Sequence, residues 1–215
     1  MVTVTGDLVE LADAGMFDIV LHGCNCKHIM GAGIAGRIAG RWPSVLEVDK
    51  REPRLLGQYS VAYVKDKLNA EFMVGNLYTQ YYPGRNFLLP ALELSLANFL
   101  SYLSGIEMLS GRIGIPKIGC GIGGGDWADV KPVLDFRLGS RYDLVYVKYD
   151  RNHKVRLDEY TLRRDLASSK HTTWLKSASL YPKSRLDSEL KAAEFSDIAK
   201  FYQCKIDALT LPEVF

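Results

Sequence analysis

Two glycine-rich segments constrain what this chain can fold into. The first is HGCNCKHIMGAGIA at residues 22–35, and the second is IPKIGCGIGGGDW at residues 115–127. Each follows a short β-branched run and precedes an amphipathic stretch, which predicts a junction of strand, loop and helix. Glycine lets the backbone approach a ligand closely, and exposed amides at a helix N-terminus favour an anion. Two such loops predict a diphosphate held from both sides.

Strand and helix patterns alternate through residues 1 to 150. Strands are predicted at residues 2–5, 18–22, 58–65, 71–78, 112–116 and 143–149. The third and fourth of these strands are predicted to form a hairpin through residues 67–69. Helices are predicted at residues 33–40, 43–50 and 90–103, and Asp126 is a predicted N-cap of a further helix. Alternating elements with one hairpin predict a three-layer α/β/α domain on a mixed central sheet.

The C-terminal region, residues 151–215, is predicted to be a mainly helical extension. Apolar residues at helical spacing predict a face that packs on the main domain or on a partner, and these are Ala192, Phe195, Ile198, Ala199 and Tyr202. Trp174 and Tyr181 lie among basic residues, which leaves a nucleic-acid role open beside the packing role.

Composition excludes several classes of partner. The 215 residues carry a formal net charge of +2, which is too small for the basic footprint of a nucleic-acid-binding protein. The four cysteines lack paired metal-ligand spacing, so we expect reduced thiols and no metal. The N-terminal residues lack the basic start and apolar stretch of a signal peptide, and no segment has the length of a membrane span. We therefore expect a cytoplasmic protein without a membrane partner.

Four motifs together resemble the macro domain family. In chain order they are Gly6-Asp7-Leu8, residues 22–35, Asn76-Leu77-Tyr78-Thr79-Gln80 and residues 116–127. The closest likeness is to the branch of phage, bacterial and yeast ADP-ribose 1''-phosphate phosphatases. The resemblance covers residues 1 to about 150 and implies the macro-domain fold with a cleft for ADP-ribose. It also implies a place in a bacterial or phage-infected cell.

The resemblance implies a role for each residue of the cleft. Asp7 matches the aspartate that accepts a hydrogen bond from the adenine amino group, and Asn25 matches the asparagine that contacts the distal ribose. Leu8 and Tyr149 are expected beside the adenine. The diphosphate is expected between the backbone amides of two groups: Gly31, Ala32, Gly33 and Ile34, and Ile118, Gly119, Cys120, Gly121, Ile122 and Gly123. Without the resemblance, Asp7 and Asn25 are equally typical of turns.

For catalysis, the resemblance implies hydrolysis of ADP-ribose 1''-phosphate to ADP-ribose and phosphate, with no cofactor and no metal. His22 is expected to face the distal end of the cleft and to protonate the leaving sugar oxygen. Asp126 is expected to orient or activate the attacking water, with Asn25 as the third catalytic residue. Two structural alternatives stay open: a histidine packed beneath the loop, and an aspartate that only caps its helix.

One departure restricts the reaction. Related macro domains that remove ADP-ribose from glutamate use a lysine at a strand end and an aspartate in the second loop, where this chain has Gln80 and Gly123. Glutamine cannot form a Schiff base, which argues against that mechanism for this chain. Cys24, Cys26 and Cys120 flank the loops, either as packing residues or as nucleophiles.

The alternative function is a reader or eraser of ADP-ribosylated protein or nucleic acid, including deacylation of O-acyl-ADP-ribose. In that case the C-terminal extension recruits a partner.

Overall fold

The computed structural model describes residues 1–67 and 69–150. Its elements in chain order are β1 (Val2–Gly6), α1 (Leu8–Asp13), β2 (Ile19–Asn25), α2 (Gly33–Arg41), α3 (Pro43–Asp49), β3 (Tyr59–Lys65), β4 (Glu71–Gln80), α4 (Leu89–Gly105), β5 (Arg112–Ile115), α5 (Trp127–Leu138) and β6 (Asp143–Tyr149). All six predicted strands and all four predicted helices are present. The predicted extension at residues 151–215 lies outside the described residues.

The six strands form one mixed sheet in the order β1-β6-β5-β2-β4-β3. Neighbouring strands are parallel except β3 and β4, which form the predicted antiparallel hairpin. The carboxyl ends of the five mutually parallel strands therefore meet at one edge of the sheet. Because β5 and β2 are neighbours, the two glycine-rich loops leave this edge side by side. This is the edge at which open α/β sheets bind ligands.

Helices cover both faces of the sheet, as the sequence predicts. Helices α1, α2 and α3 pack on one face, where apolar side chains such as Leu11, Ile38 and Val45 are buried. Helices α4 and α5 pack on the other face through residues such as Phe99 and Leu134. The three-layer α/β/α architecture is thus confirmed.

Two features near the sheet edge differ from the prediction. Helix α1 was not predicted; it begins directly after Asp7, whose side chain caps it. Strands β2 and β4 also continue beyond their predicted ends, to Asn25 and Gln80. The two last residues, Asn25 and Gln80, pair with each other across the two strands. Glycine and polar residues at these ends resemble loop residues in sequence, and only the neighbouring strand makes them part of the sheet.

Within the described residues, no helix has the length and apolar character needed to cross a membrane.

Candidate ligand-binding cleft

A cleft of about 300 Å³ lies between the two glycine-rich loops, above the ends of β2, β4 and β5. Of the residues predicted to bind ligand, the structure brings ten together around it: Asn25, Gly31, Ala32, Gly33, Ile34, Ile118, Gly119, Gly121, Ile122 and Gly123. The other lining residues are Gly23, Cys24, Ile29, Ala35, Thr79, Gln80, Pro83, Gly84, Pro116 and Lys117. The loops predicted to face each other therefore do so.

The side chain of Asn25 holds the first loop, residues 26–32, in shape. Its Oδ1 accepts hydrogen bonds from the backbone amides of Lys27 at 3.1 Å and Ile29 at 3.3 Å, and its Nδ2 donates to the Ile29 carbonyl at 2.8 Å. Both oxygen lone pairs are thereby used, whereas an amide carries two N–H donors. The second N–H of Asn25 makes no hydrogen bond within the described residues, and Asn25 is one of the residues that line the cleft.

A buried contact between a histidine and a carboxylate supports the first loop from the core side. His28 adopts a positive φ of 58°, and its Nδ1 lies 3.3 Å from Oδ2 of Asp49 on α3. The Tyr78 hydroxyl donates to Oδ1 of the same carboxylate at 2.9 Å. Burial raises the pKa of both Asp49 and Tyr78. These contacts fix the loop to the helical layer rather than leaving it mobile in solvent.

The N-terminus of α2 opens into the cleft without a side-chain cap. Ala32 occupies the N-cap position and has no side chain able to accept a hydrogen bond. In the part of the chain that the structure describes, the amides of Gly31, Ala32 and Gly33 donate no hydrogen bond. Uncapped amides at a helix N-terminus attract an anion.

The second loop, residues 116–126, presents a matching row of amides. Gly119 has a φ of 72°, and its Cα lies so close to the Phe87 ring that a β-carbon would overlap the ring. The amides of Gly121, Ile122 and Gly123 donate no hydrogen bond within the described residues. The loop is held by a bond from the Gly125 amide to the Gly119 carbonyl at 2.9 Å. The cleft thus has unpaired donors on both walls.

At the end of the sheet edge formed by β1 and β6, both carboxylate oxygens of Asp7 have partners within the protein. Its Oδ1 accepts from the amides of Val9 at 2.9 Å and Glu10 at 3.3 Å, and its Oδ2 pairs with Arg37 of α2. The Arg37 guanidinium in turn lies 5.3 Å from the ring centroid of Tyr149, which is 57% exposed. Arg37 therefore contacts both Asp7 and Tyr149. No pattern in the sequence predicted that Arg37 would lie at this end of the sheet edge.

Two of the residues predicted to bind ligand, Leu8 and Cys120, do not line the cleft. Leu8 is buried in the core, so only its backbone can meet a ligand. Cys120 donates its thiol to the Ile118 carbonyl at 3.2 Å, and burial raises its pKa. Burial likewise raises the pKa of Cys24 and Cys26. These cysteines are protonated packing residues, which is the first of the two alternatives.

The expectation that His22 faces the cleft is wrong. Its side chain is completely buried, on the sheet face covered by α1, α2 and α3, and does not line the cleft. Burial lowers the pKa of His22 to about 4, although hydrogen bonds from the ring to the Asn76 side chain and to the Gly23 backbone act to raise it. A neutral imidazole without access to the cleft cannot protonate a leaving group there. The packed-histidine alternative is the one that the structure shows.

Asp126 caps α5 as predicted. Its Oδ1 accepts from the Ala128 amide at 2.9 Å, and its other carboxylate oxygen makes no hydrogen bond within the described residues. The residue is exposed at the exit of the second loop and is not among those that line the cleft.

The β4 end of the cleft is built by Thr79 and Gln80, followed by Pro83 and Gly84. Gln80 Nε2 donates to the carbonyls of Tyr82 at 2.9 Å and Gly84 at 3.4 Å. No charged side chain lines this end; Lys117 belongs to the second loop, and its ammonium lies 6.0 Å from the Trp127 ring centroid.

Within the described residues, no group of three or more His, Cys, Asp or Glu side chains could hold a metal ion.

Comparison with known proteins identifies the class. No family model matches the chain. Superposition on the macrodomain of Mycobacterium tuberculosis DarG gives a TM-score of 0.55 at 23% identity, covering 68% of this chain and 97% of that chain. The DarG macrodomain of Thermus aquaticus gives 0.54 at 20% identity, covering 69% and 97%. Thermosipho africanus DarTG in complex with ADP-ribose gives 0.54 at 17% identity, covering 65% and 40%. The chain has the macrodomain fold.

A protein with a related sequence shows the family to which the chain belongs. The uncharacterised 17.5 kDa protein of the tk-vs intergenic region of Enterobacteria phage T4 is 36% identical over 152 residues. The match covers 68% of this chain and 95% of the phage protein. The chain belongs to the family of this phage protein.

Proposed function

We propose that the protein binds ADP-ribose, with the diphosphate between the two glycine-rich loops. The observation that carries the proposal is the pair of amide rows, at residues 31–33 and 121–123, which face one cleft and have no acceptor in the described structure. Unsatisfied donors of this kind bind phosphate oxygens without a side-chain charge. The macrodomain fold supports this ligand, and the Thermosipho africanus neighbour was solved with ADP-ribose.

The two ends of the sheet edge accommodate the rest of the molecule. The carboxyl ends of β6 and β4 are three strand spacings apart, roughly 14 Å. Adenine lies at the β1/β6 end, where Asp7 accepts from its amino group and Tyr149 offers a ring. Arg37 must move from between these two side chains for the base to enter. The distal ribose lies at the β4 end, where Asn25 donates its unused N–H.

We further propose that the protein hydrolyses ADP-ribose 1''-phosphate to ADP-ribose and phosphate. Support comes from the four motifs shared with that branch and from the cleft's continuation past the loops to the β4 end. His22 has no part in this reaction. Asp126 is the carboxylate assigned to orient the water, because one of its oxygens is not needed by the helix cap.

A reader or eraser of ADP-ribosylated macromolecules is the second candidate function. It is favoured by the fold shared with the macrodomains of DarG and by the exposed loop, residues 81–86, that borders the cleft at the β4 end. A macromolecule attached to the distal ribose would leave the cleft past this loop.

Isothermal titration calorimetry of the full chain with ADP-ribose tests the binding. We expect saturable binding with one site per chain; heat no larger than that of buffer would refute the proposal.

Phosphate release from ADP-ribose 1''-phosphate then separates the two functions. Turnover that falls in Asp126→Asn, which keeps a capping oxygen, supports the phosphatase. Binding without phosphate release, but with release of ADP-ribose from a modified protein or oligonucleotide, supports the eraser.

A further inference from the structure

A buried hydroxyl at the floor of the cleft has no partner. Thr79 is fully buried, and its Oγ1 makes no hydrogen bond within the described residues, yet the residue lines the cleft. Buried hydroxyls are nearly always hydrogen-bonded, since leaving one unpaired costs free energy of folding. An unpaired hydroxyl facing a cleft is therefore a candidate ligand-binding group.

A bulge in the sheet lies at this residue. Tyr78 pairs with Cys24 and Gln80 with Asn25, so the register between β4 and β2 shifts by one residue and leaves Thr79 without an opposite residue. Bulges of this kind occur next to active sites. Thr79 keeps the alternation of its strand, on the sheet face of Met73 and Leu77, where it lies against Gly23 of β2.

Gly23 leaves open the space above the hydroxyl. A β-carbon on Gly23 would lie 2.9 Å from Thr79 Oγ1, closer than a carbon and a hydroxyl oxygen pack. Since Gly23 also lines the cleft, its missing side chain connects the hydroxyl with the ligand space. Any other residue at position 23 would crowd this floor.

Gln80 adds a second neutral acceptor beside it. Its Nε2 is oriented by the carbonyls of Tyr82 and Gly84, which turns Oε1 toward the second loop. A β-carbon on Gly123 would lie 2.8 Å from this Oε1. With a hydroxyl that can donate or accept and an amide oxygen that accepts, the floor suits an uncharged group bearing hydroxyls.

We infer that Thr79 Oγ1 hydrogen-bonds a hydroxyl of the sugar that follows the diphosphate, with Gln80 Oε1 as a second acceptor. Thr79 thereby discriminates a ligand that carries this sugar from one that ends at the diphosphate. The inference rests on the proposed function, because it assumes the diphosphate between the loops. It adds a specificity-determining residue on β4 that makes its contact through a side chain rather than through the backbone.

The test compares two ligands and two variants in the full chain. ADP retains the diphosphate but lacks the second sugar, so it serves as the control ligand. Thr79→Val removes the hydroxyl and keeps the shape, whereas Thr79→Ser keeps the hydroxyl. We expect Thr79→Val to lose about five- to tenfold in affinity for ADP-ribose and nothing for ADP, and Thr79→Ser to retain most of the preference for ADP-ribose.

Thermal unfolding of the same variants separates ligand binding from structure. Because the hydroxyl is unpaired without ligand, Thr79→Val is expected to unfold at the same temperature as wild type or at a higher one. Equal losses for both ligands, unchanged affinity for ADP-ribose, or a marked loss of stability in Thr79→Val would each overturn the inference. A wild-type protein that binds neither ligand would instead refute the proposed function.

Discussion

His28 Nδ1 lies 3.3 Å from Asp49 Oδ2, and this pair ties the first glycine-rich loop to helix α3. The carboxylate is fully buried and also accepts the Tyr78 hydroxyl, so a helix residue, a loop residue and a strand residue meet at one group. The His28 ring further packs edge-on against Tyr78, with centroids 5.8 Å apart. The wall of the cleft is thus preorganised from the core side.

Removing this carboxylate is expected to destabilise the fold. Asp49→Ala removes the buried carboxylate that accepts the Tyr78 hydroxyl and lies against His28, which predicts a loss of about 1–3 kcal/mol in the free energy of unfolding. Asp49→Asn retains an acceptor oxygen for Tyr78 and is expected to lose less. Urea unfolding of the two variants checks the order. Equal stability of Asp49→Ala and wild type would show that the pair does not support the loop.

Acid is expected to weaken the fold through His22. Its pKa is lowered in the folded state from 6.5 to about 4, so the unfolded chain binds a proton more readily at any pH between these values. The contribution of neutral His22 to the free energy of unfolding is therefore fully present above pH 6.5. About 3 kcal/mol of it is lost as the pH falls toward 4. Urea midpoints of wild type and His22→Gln, measured from pH 7.5 to 4.5, isolate this contribution. Parallel pH profiles would contradict it.

Substitution by alanine is expected to destabilise the fold at one glycine of the second loop and to leave its stability unchanged at another. At Gly119 the φ of 72° disfavours any side chain, and a β-carbon would overlap Phe87, so Gly119→Ala is expected to lose about 2 kcal/mol or more. At Gly121 a β-carbon meets nothing within 4 Å, so Gly121→Ala is the matched control and is expected to unfold near the wild-type temperature. Comparable melting temperatures for both variants would mean that Phe87 moves aside freely.

Backbone donors of the first loop are expected to account for diphosphate affinity. Gly31→Pro deletes one amide N–H, while Gly31→Ala keeps it, and open space surrounds this position. We expect Gly31→Pro to weaken ADP-ribose binding about tenfold and Gly31→Ala to change it less than threefold, since bonds to phosphate oxygens are charge-assisted. Calorimetry checks both affinities, and circular dichroism confirms that Gly31→Pro is folded. Equal affinities would exclude this amide from the phosphate site.

The elements and the two loops are predictable from sequence because their signals are local. Alternation of strand and helix patterns, the hairpin and the glycine clusters each depend on neighbours along the chain. Helix α1 was missed since its six residues are too short to show a period, although Asp7 before it is an ordinary N-cap. The side-chain position of His22 was predicted wrongly because the sequence pattern of a histidine near a strand end is the same whether its side chain faces a cleft or a helix.

The sequence by itself determined the macrodomain fold's order of elements and the two loops, since both follow from periodicity and glycine placement. Only the tertiary structure decided which side chains reach the cleft. Arg37 meets Asp7 and Tyr149 because α2 packs beside α1, which Asp7 caps, and His22 is buried because α1, α2 and α3 cover its face of the sheet. Thr79 lies against Gly23 because β4 and β2 are neighbours in the sheet. Each of these placements is set by contacts between elements distant in sequence, which no local pattern encodes.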